Sequence, residues 1–399
     1  MNLKILFLTL VYSKKGNSIY KDLIDELAKQ GNEISVIAAL ERREKKKSYL
    51  EVESEKIKVL RVKTFNIQKT NLIEKGIGTL TIEKRFIKAI KKFYKDEQFD
   101  LVLYSTPPIT FERVIKFIKK RDDARSYLLL KDIFPQNAVD LGMFSKKSLF
   151  YKFFRSKEER LYKISDYIGC MSPKNVDYLI KNNKYLEEKK IEVCPNSIEP
   201  TKDIHIDNSI RKDFGVDENE LLIIYGGNLG KPQGIDFLID ILKENKSNSK
   251  LKFMIVGNGT EKDKIFNFVD NENLENVIVK ERLPKDEYDK LVRAADLGLI
   301  LLDKSFTIPN FPSRLLGYMD AGIPVLAATD VNTDIGEIIE KNNFGYWCES
   351  GDLKKFNLIL KKCLDNKKEL KEKGLIGRKY LEENYTSKHS SDIILSHFK

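Results

Sequence analysis

The chain has 399 residues, too many for one ordinary core, so two domains of roughly 200 residues are expected. Hydrophobic residues make up 41% and aromatics 10%, which excludes a disordered chain, and no run of 18 apolar residues exists to span a membrane. The net charge of +11 divides into +16 over residues 1–190 and −5 over 191–399. The basic half either faces an anionic partner, nucleic acid or a membrane surface, or is only a lysine-rich exterior.

The opening MNLKILFLTLVYSKK lacks a small-residue cleavage site and runs straight into a helical pattern, so KILFLTLVY reads as a buried first strand and not a signal peptide. NSIYKDLIDELAKQG has apolar residues at helical spacing and stops on Gly31. EISVIAAL, KVLRVKTF, DLVLYSTPP, SYLLLKDIFP and IEVCPNSI read as further strands, with helices such as EKRFIKAIKKFYKDEQ between them. The scheme restarts with LLIIYGGNLG, a helix over GIDFLIDILKEN, then the strands KFMIVGNGT, VIVKERL, DLGLILL and PVLAAT. Buried strands alternating with helices imply parallel sheets. The fold class expected is α/β, two doubly wound Rossmann-like domains facing across a cleft. The expected domains are 1–200, 201–380, and a closing helix at 381–399, containing SSDIILSHF, that packs back on the first. Ligands of such sheets sit at the C-terminal ends of strands, so the loops there are the candidates.

Three loops stand out. In YGGNLGKPQGIDFL (225–238), two glycines let backbone approach a ligand and the following helix aims free N–H groups at the loop, which suits phosphate. Gly227, Asn228, Lys231 and Gln233 are its candidate residues. VGNGTEKDK (256–264) begins G-x-G-x-x but puts Lys262 where a dinucleotide fingerprint needs glycine; Gly257, Asn258 and Gly259 remain as a phosphate- or nucleotide-adjacent loop. In FTIPNFPSRLLGYMDAGIPVLAATD (306–330), Pro309 and Pro312 stiffen a helix mouth, Asn310 is placed to cap the helix, and Phe311, Ser313 and Arg314 stand beside it. Fixed backbone N–H groups with an arginine beside them suit a diphosphate. Each loop also has a plain reading as a tight turn without a ligand.

The order and spacing of GGNLGKPQGIDFL, IVGNGTEKDKI and PSRLLGYMDAGIPVLAA resemble glycosyltransferase family 4, and LLLKDIFPQNAVDLGMF (128–144) resembles members that build capsule or O-antigen units on a lipid carrier. The resemblance implies the GT-B fold, a UDP-sugar donor on the C-terminal domain, an acceptor on the N-terminal one, and retaining transfer without metal or other cofactor. It adds Leu283 to the donor side. The family's two glutamates fall at Pro309 and Gly317, and its arginine and lysine on the diphosphate fall at Asn228 and Gln233; Lys231 and Arg314 are the nearest basic substitutes.

Arg314 is therefore expected to neutralise the departing nucleotide diphosphate. Asp132, at a strand end, is a candidate catalytic or acceptor-orienting group, and Gly16 and Asn17 are expected on the acceptor side. The three histidines lie in no candidate loop, DENE (217–220) reads as a solvated turn, and no cysteine pair has metal spacing. FSKKSLFYKFFRSKEERLYK (144–163) mixes aromatics with cations and can lie on an anionic membrane or pack inward; ERREKKK (41–47) can assist it.

The expected function is a cytoplasmic enzyme, peripheral on the inner face of the cell membrane. It moves an N-acetylated amino sugar from UDP to a lipid-diphosphate-linked acceptor for surface polysaccharide, with no nucleic-acid partner. A sugar-nucleotide epimerase of the same fold and a non-catalytic membrane- or polyanion-binding protein are the alternatives.

Overall fold

The computed structural model describes residues 2–14, 19–67, 70–203 and 209–398. The chain divides into one unit of residues 1–199 with 387–399 and a second of residues 200–386.

Among the described residues the first unit is built on eight strands. They are β1 (Lys4–Thr9), β2 (Glu33–Glu41), β3 (Tyr49–Val52), β4 (Ile57–Thr64), β5 (Leu101–Ser105), β6 (Arg125–Leu130), β7 (Tyr167–Cys170) and β8 (Ile191–Val193). Their order is β3-β4-β2-β1-β5-β6-β7-β8. Among the described residues only β3 runs antiparallel, against β4, with Tyr49 opposite Arg61. The interior strands are continuous apolar runs because helices cover both faces, so no alternation of polar residues is tolerated. β1 sits where the strand order reverses, between β2 and β5.

The second unit holds six parallel strands: β9 (Leu221–Asn228), β10 (Leu251–Asn258), β11 (Val277–Lys280), β12 (Leu297–Leu301), β13 (Val325–Thr329) and β14 (Gly345–Glu349), in the order β11-β10-β9-β12-β13-β14. Its core packs Tyr225, Leu229, Phe253, Leu299, Leu326 and Phe356 with the helix Ile235–Glu244. The order reverses between β9 and β12, so the loops after these two strands border the crevice where a doubly wound sheet takes its ligand.

Three strands carry no clear signal in the sequence. β3 has only half-buried and exposed positions, β7 has four residues, and β14 is an edge strand with half-buried and exposed positions. The closing element also differs from expectation. The helix Lys367–Asn384 stays in the second unit through Thr386, held by buried Leu381 and Tyr385, and the return to the first unit is the separate helix Ser387–Ser396. There Ile394 joins the core beside Leu23 and Leu27, and the Gln30 amide donates to the Ser391 hydroxyl at 2.7 Å.

Candidate active site

The loop after β9 is a tight knot. Gly227 has φ +131, a conformation that L side chains rarely adopt, and its backbone lies at the exposed lip. A 3-10 turn, Lys231–Gln233, carries the chain into the helix Ile235–Glu244. The Tyr225 hydroxyl donates to the Asn228 carbonyl at 2.8 Å, which closes the turn on itself.

Arg314, the first residue of the helix Arg314–Asp320, reaches back into this knot. Its Nη2 donates to Gln233 Oε1 at 2.5 Å, and its guanidinium carbon sits 4.4 Å from the centre of the Tyr225 ring. A Cβ on Gly227 would lie 3.4 Å from the same Nη2, so the guanidinium borders the lip of the loop. Its Nη1 is buried and has no hydrogen-bond partner in the protein. A buried donor on a permanent cation costs free energy unless something accepts from it, and an anionic oxygen is the natural acceptor.

The loop after β12 meets the loop after β9 directly. The Asp303 amide donates to the Pro232 carbonyl at 3.0 Å. Its far end is tied to the turn after β13. Asn332 Nδ2 donates to the Phe306 carbonyl at 2.5 Å, and the Thr333 hydroxyl to the Asn310 carbonyl at 2.6 Å. Asp330 Oδ1 accepts the amides of Asn332 and Thr333, while burial pushes its carboxyl up to about 6. Asp330 Oδ2 and Asn310 Nδ2 are buried without protein partners, as Arg314 Nη1 is.

Asn310 does not cap the helix. The helix begins at Arg314, behind Ser313, and no side chain caps it. With Pro309 and Pro312 fixing the preceding backbone, the chain cannot turn helical until Ser313, and Asn310 is used as a carbonyl acceptor instead. A helix of seven residues has a weak terminal dipole, so charge recognition here falls to the Arg314 side chain. Phe311 packs against Tyr385, with ring centroids 6.0 Å apart.

Gly257 and Gly259 have a role the sequence did not show. A Cβ on Gly257 would meet the Gly227 carbonyl oxygen at 2.0 Å, and one on Gly259 would meet the Leu229 carbonyl oxygen at 2.3 Å. The Leu229 amide donates to the Asn258 carbonyl at 3.0 Å and the Glu261 amide to the Leu229 carbonyl at 2.8 Å. These glycines let two loops interlock. Asn228, Lys231 and Asn258 are exposed at the tips of those loops, and Leu283 is half-buried beyond the end of β11. Gly317 lies mid-helix with nothing within 4 Å of an added Cβ, so the place of the second family glutamate is open space.

In the first unit, Asp132 lies two residues beyond β6. Asn137 Nδ2 donates to both carboxylate oxygens, at 2.8 and 2.9 Å, and the Asp132 amide donates to Thr106 Oγ1 at 3.2 Å. Burial outweighs these bonds and pushes the carboxyl up to about 6. Gly16 and Asn17 lie outside the described residues. At the ends of β1 and β2 is a cavity of about 460 Å³ that sequence reasoning missed. Tyr12, Lys14, Glu41, Glu51 and Arg61 line it, and the Arg61 Nη1 donates to the Tyr12 carbonyl at 2.7 Å. Among the described residues, no group of three or more His, Cys, Asp or Glu side chains could hold a metal ion.

The family model described as Glycosyl transferases group 1 matches residues 207–380, nearly the whole second unit with its Arg314–Gln233–Tyr225 knot. Residues 207–380 are thus a Glycosyl transferases group 1 domain. The chain's sequence is 22% identical over 322 residues to the probable glycosyltransferase WbjE of Pseudomonas aeruginosa, covering 80% of this chain and 78% of that one. It is 21% identical over 277 residues to the putative colanic acid biosynthesis glycosyl transferase WcaI of Escherichia coli, covering 66% and 65%. The Anabaena HepE structure in complex with UDP and glucose superposes with a TM-score of 0.71 at 17% identity, covering 100% of this chain and 99% of that one. The chain therefore has the GT-B architecture. Among its described residues no helix is long and apolar enough to cross a membrane.

Proposed function

We propose that the enzyme transfers a sugar from UDP, with retention and without a metal ion, to a lipid-diphosphate-linked acceptor in the synthesis of a surface polysaccharide. The donor sugar is an N-acetylated amino sugar, an assignment that comes from the sequence resemblance. The observation that carries the donor half is Arg314. Its guanidinium is fixed by Gln233 and Tyr225, and one nitrogen is buried without a protein acceptor. Such a group is preorganised for the oxygens of a leaving diphosphate, whose charge grows as the glycosidic bond breaks. Arg314 thus supplies the positive charge that Gln233 lacks where the family carries a lysine. Lys231, exposed on the 3-10 turn, adds a second positive charge.

Anabaena HepE was solved in complex with UDP and glucose, and the name of WcaI places that relative in colanic acid biosynthesis. Both support the class of donor and pathway proposed. For the acceptor half, burial pushes the Asp132 carboxyl up to about 6, so its ionised form can accept a proton from an acceptor hydroxyl near neutral pH. The cavity lined by Tyr12, Glu41 and Arg61 has the aromatic and hydrogen-bonding lining that a sugar hydroxyl array needs.

The test is thermal melting with UDP, GDP, ADP, TDP and NAD, followed by incubation of UDP-amino sugars with a polyprenyl-diphosphate sugar. A UDP-selective shift that Arg314→Ala abolishes, with sugar transfer to the lipid, is the expected result. Conversion of UDP-sugar without an acceptor would establish an epimerase, and no shift with any nucleotide would leave a binding protein.

A further inference from the structure

The helix Leu149–Ile164 buries Glu158, Leu161 and Tyr162 against the first unit and turns its opposite side to water. Its first turns expose large apolar side chains. Leu149 is 82% exposed, Phe150 70% and Phe153 42%, and Met143 in the preceding loop is 71% exposed. Leu149 and Phe153 are one helical turn apart and share a face, and Arg160, also exposed, continues the same line two turns on. Lys146, Lys147, Lys152 and Lys163 are exposed around the apolar tip. Residues 143–163 carry seven basic and two acidic side chains, and both acids, Glu158 and Glu159, pair with Arg155.

The tip is braced. Phe144 and Phe154 both pack on Phe134, with centroids 6.3 and 5.0 Å apart, and Phe153 packs on Phe154 at 5.2 Å. This brings the Met143 loop beside the helix and holds the exposed side chains outward on a fixed platform. Phe134 is two residues from Asp132, in the turn that Asn137 closes by its bonds to the Asp132 carboxylate. The outward apolar tip and the Asp132 turn therefore share one aromatic floor.

We infer that this tip is a membrane-docking surface: Met143, Leu149, Phe150 and Phe153 insert at the headgroup boundary of an anionic bilayer while Lys146, Lys147, Lys152 and Arg160 engage its phosphates. Charge selects this occupant. A second copy of the chain would set two strongly basic surfaces against each other, which the excess of seven cations over two anions disfavours. An anionic lipid surface accepts both the apolar tip and the ring of cations, each reinforcing the other. Because Phe134 links the tip to the Asp132 turn, docking also fixes that turn relative to the lipid headgroups. The inference rests on the reading of the acceptor as lipid-linked, but it concerns a surface distinct from the donor knot.

Sedimentation of the full-length protein with phosphatidylcholine vesicles, with and without phosphatidylglycerol, tests it. Binding should require phosphatidylglycerol and fall steeply with salt. Leu149→Glu with Phe150→Glu should weaken it at least about tenfold, and Lys146→Glu with Lys147→Glu should weaken it chiefly at low salt. A melting transition of the first unit and a circular dichroism spectrum equal to the wild type's show that each variant is folded. No sedimentation of the wild type, sedimentation indifferent to lipid charge, or unchanged sedimentation of the Leu149/Phe150 variant would overturn the inference. So would a wild-type dimer in solution that the same variant dissolves. Vesicle binding needs neither donor nor acceptor, so sedimentation without sugar transfer would count against the proposed reaction alone.

Discussion

Arg314 and Gln233, 81 residues apart in the chain, meet in a 2.5 Å hydrogen bond across the loops that follow β9 and β12. The bond puts a permanent cation at the point where the strand order of the second sheet reverses. Gln233 Oε1 also lies 3.4 Å from the Tyr225 hydroxyl, so the amide oxygen touches both the guanidinium and the ring beneath it. Replacing Arg314 by Ala should lower turnover by about 10²–10³-fold and abolish the UDP melting shift, as removal of a preorganised donor does. Arg314→Lys should recover little, because a lysine reproduces neither the planar contact with Tyr225 nor the forked donor. Steady-state kinetics and melting curves on the two variants check both statements.

Two glycines should respond in opposite ways. Gly257→Ala drives a methyl group to 2.0 Å from the Gly227 carbonyl oxygen, a backbone atom that cannot step aside. It should destabilise the second unit by about 1–3 kcal/mol or more and remove UDP binding. Gly317→Ala adds a methyl group in open space inside a helix and should stabilise by about 0.5–1 kcal/mol. Calorimetry separates the two.

The open space at Gly317 also permits a gain of function. Gly317→Glu restores a carboxylate at the position where the family resemblance places a ribose contact. The variant should fold and tighten UDP binding by about tenfold, the effect of one charge-assisted hydrogen bond. Titration calorimetry with UDP measures it, and weaker binding would show that the ribose lies elsewhere.

The buried carboxyl of Asp132 makes a pH prediction. Its folded value is raised to about 6, above the ordinary carboxylate range near 4. Between these values the folded state holds a proton that the unfolded state releases. The stabilisation from this group is thus complete below about pH 4 and lost as pH rises through about 6. Asp132→Asn should therefore gain stability relative to the wild type above pH 6 and show no gain at pH 4. Asn137 can turn its unpartnered Oδ1 toward the new amide. If Asp132 serves the acceptor, kcat/KM of the wild type should rise through pH 6, and the variant should lose that limb along with about 10²-fold of its rate.

Ile394 tests the returning helix. It is fully buried with Leu23, Leu27 and Val36 in the first unit's core. Ile394→Ala should cost about 2–5 kcal/mol in that unit's unfolding while leaving the UDP shift of the second unit intact. A scanning calorimetry trace with and without UDP distinguishes the two units.

The continuous apolar runs of β1, β5, β6, β9, β10, β12 and β13 are legible in the sequence because a strand buried on both faces has no other pattern open to it. The glycine and proline loops mark the ends of β9, β10 and β12, since turn chemistry is local. β3 is not legible, because an edge strand with exposed positions takes its identity from the neighbour it pairs with. Asn310 reads as a cap in the sequence and is none in the fold, because a hydrogen bond from Thr333, distant in sequence, decides what its loop does.

By itself, then, the sequence determined two parallel α/β units and the loops that carry their chemistry, since hydrophobic period and backbone permissiveness are properties of short segments. Only the tertiary structure decided which side chains converge. The pairing of Arg314 with Gln233, the use of Gly257 to seat the Gly227 carbonyl, and the aromatic floor under Leu149 and Phe150 all join residues distant in the chain. Such contacts are fixed by packing and desolvation, which no local pattern encodes.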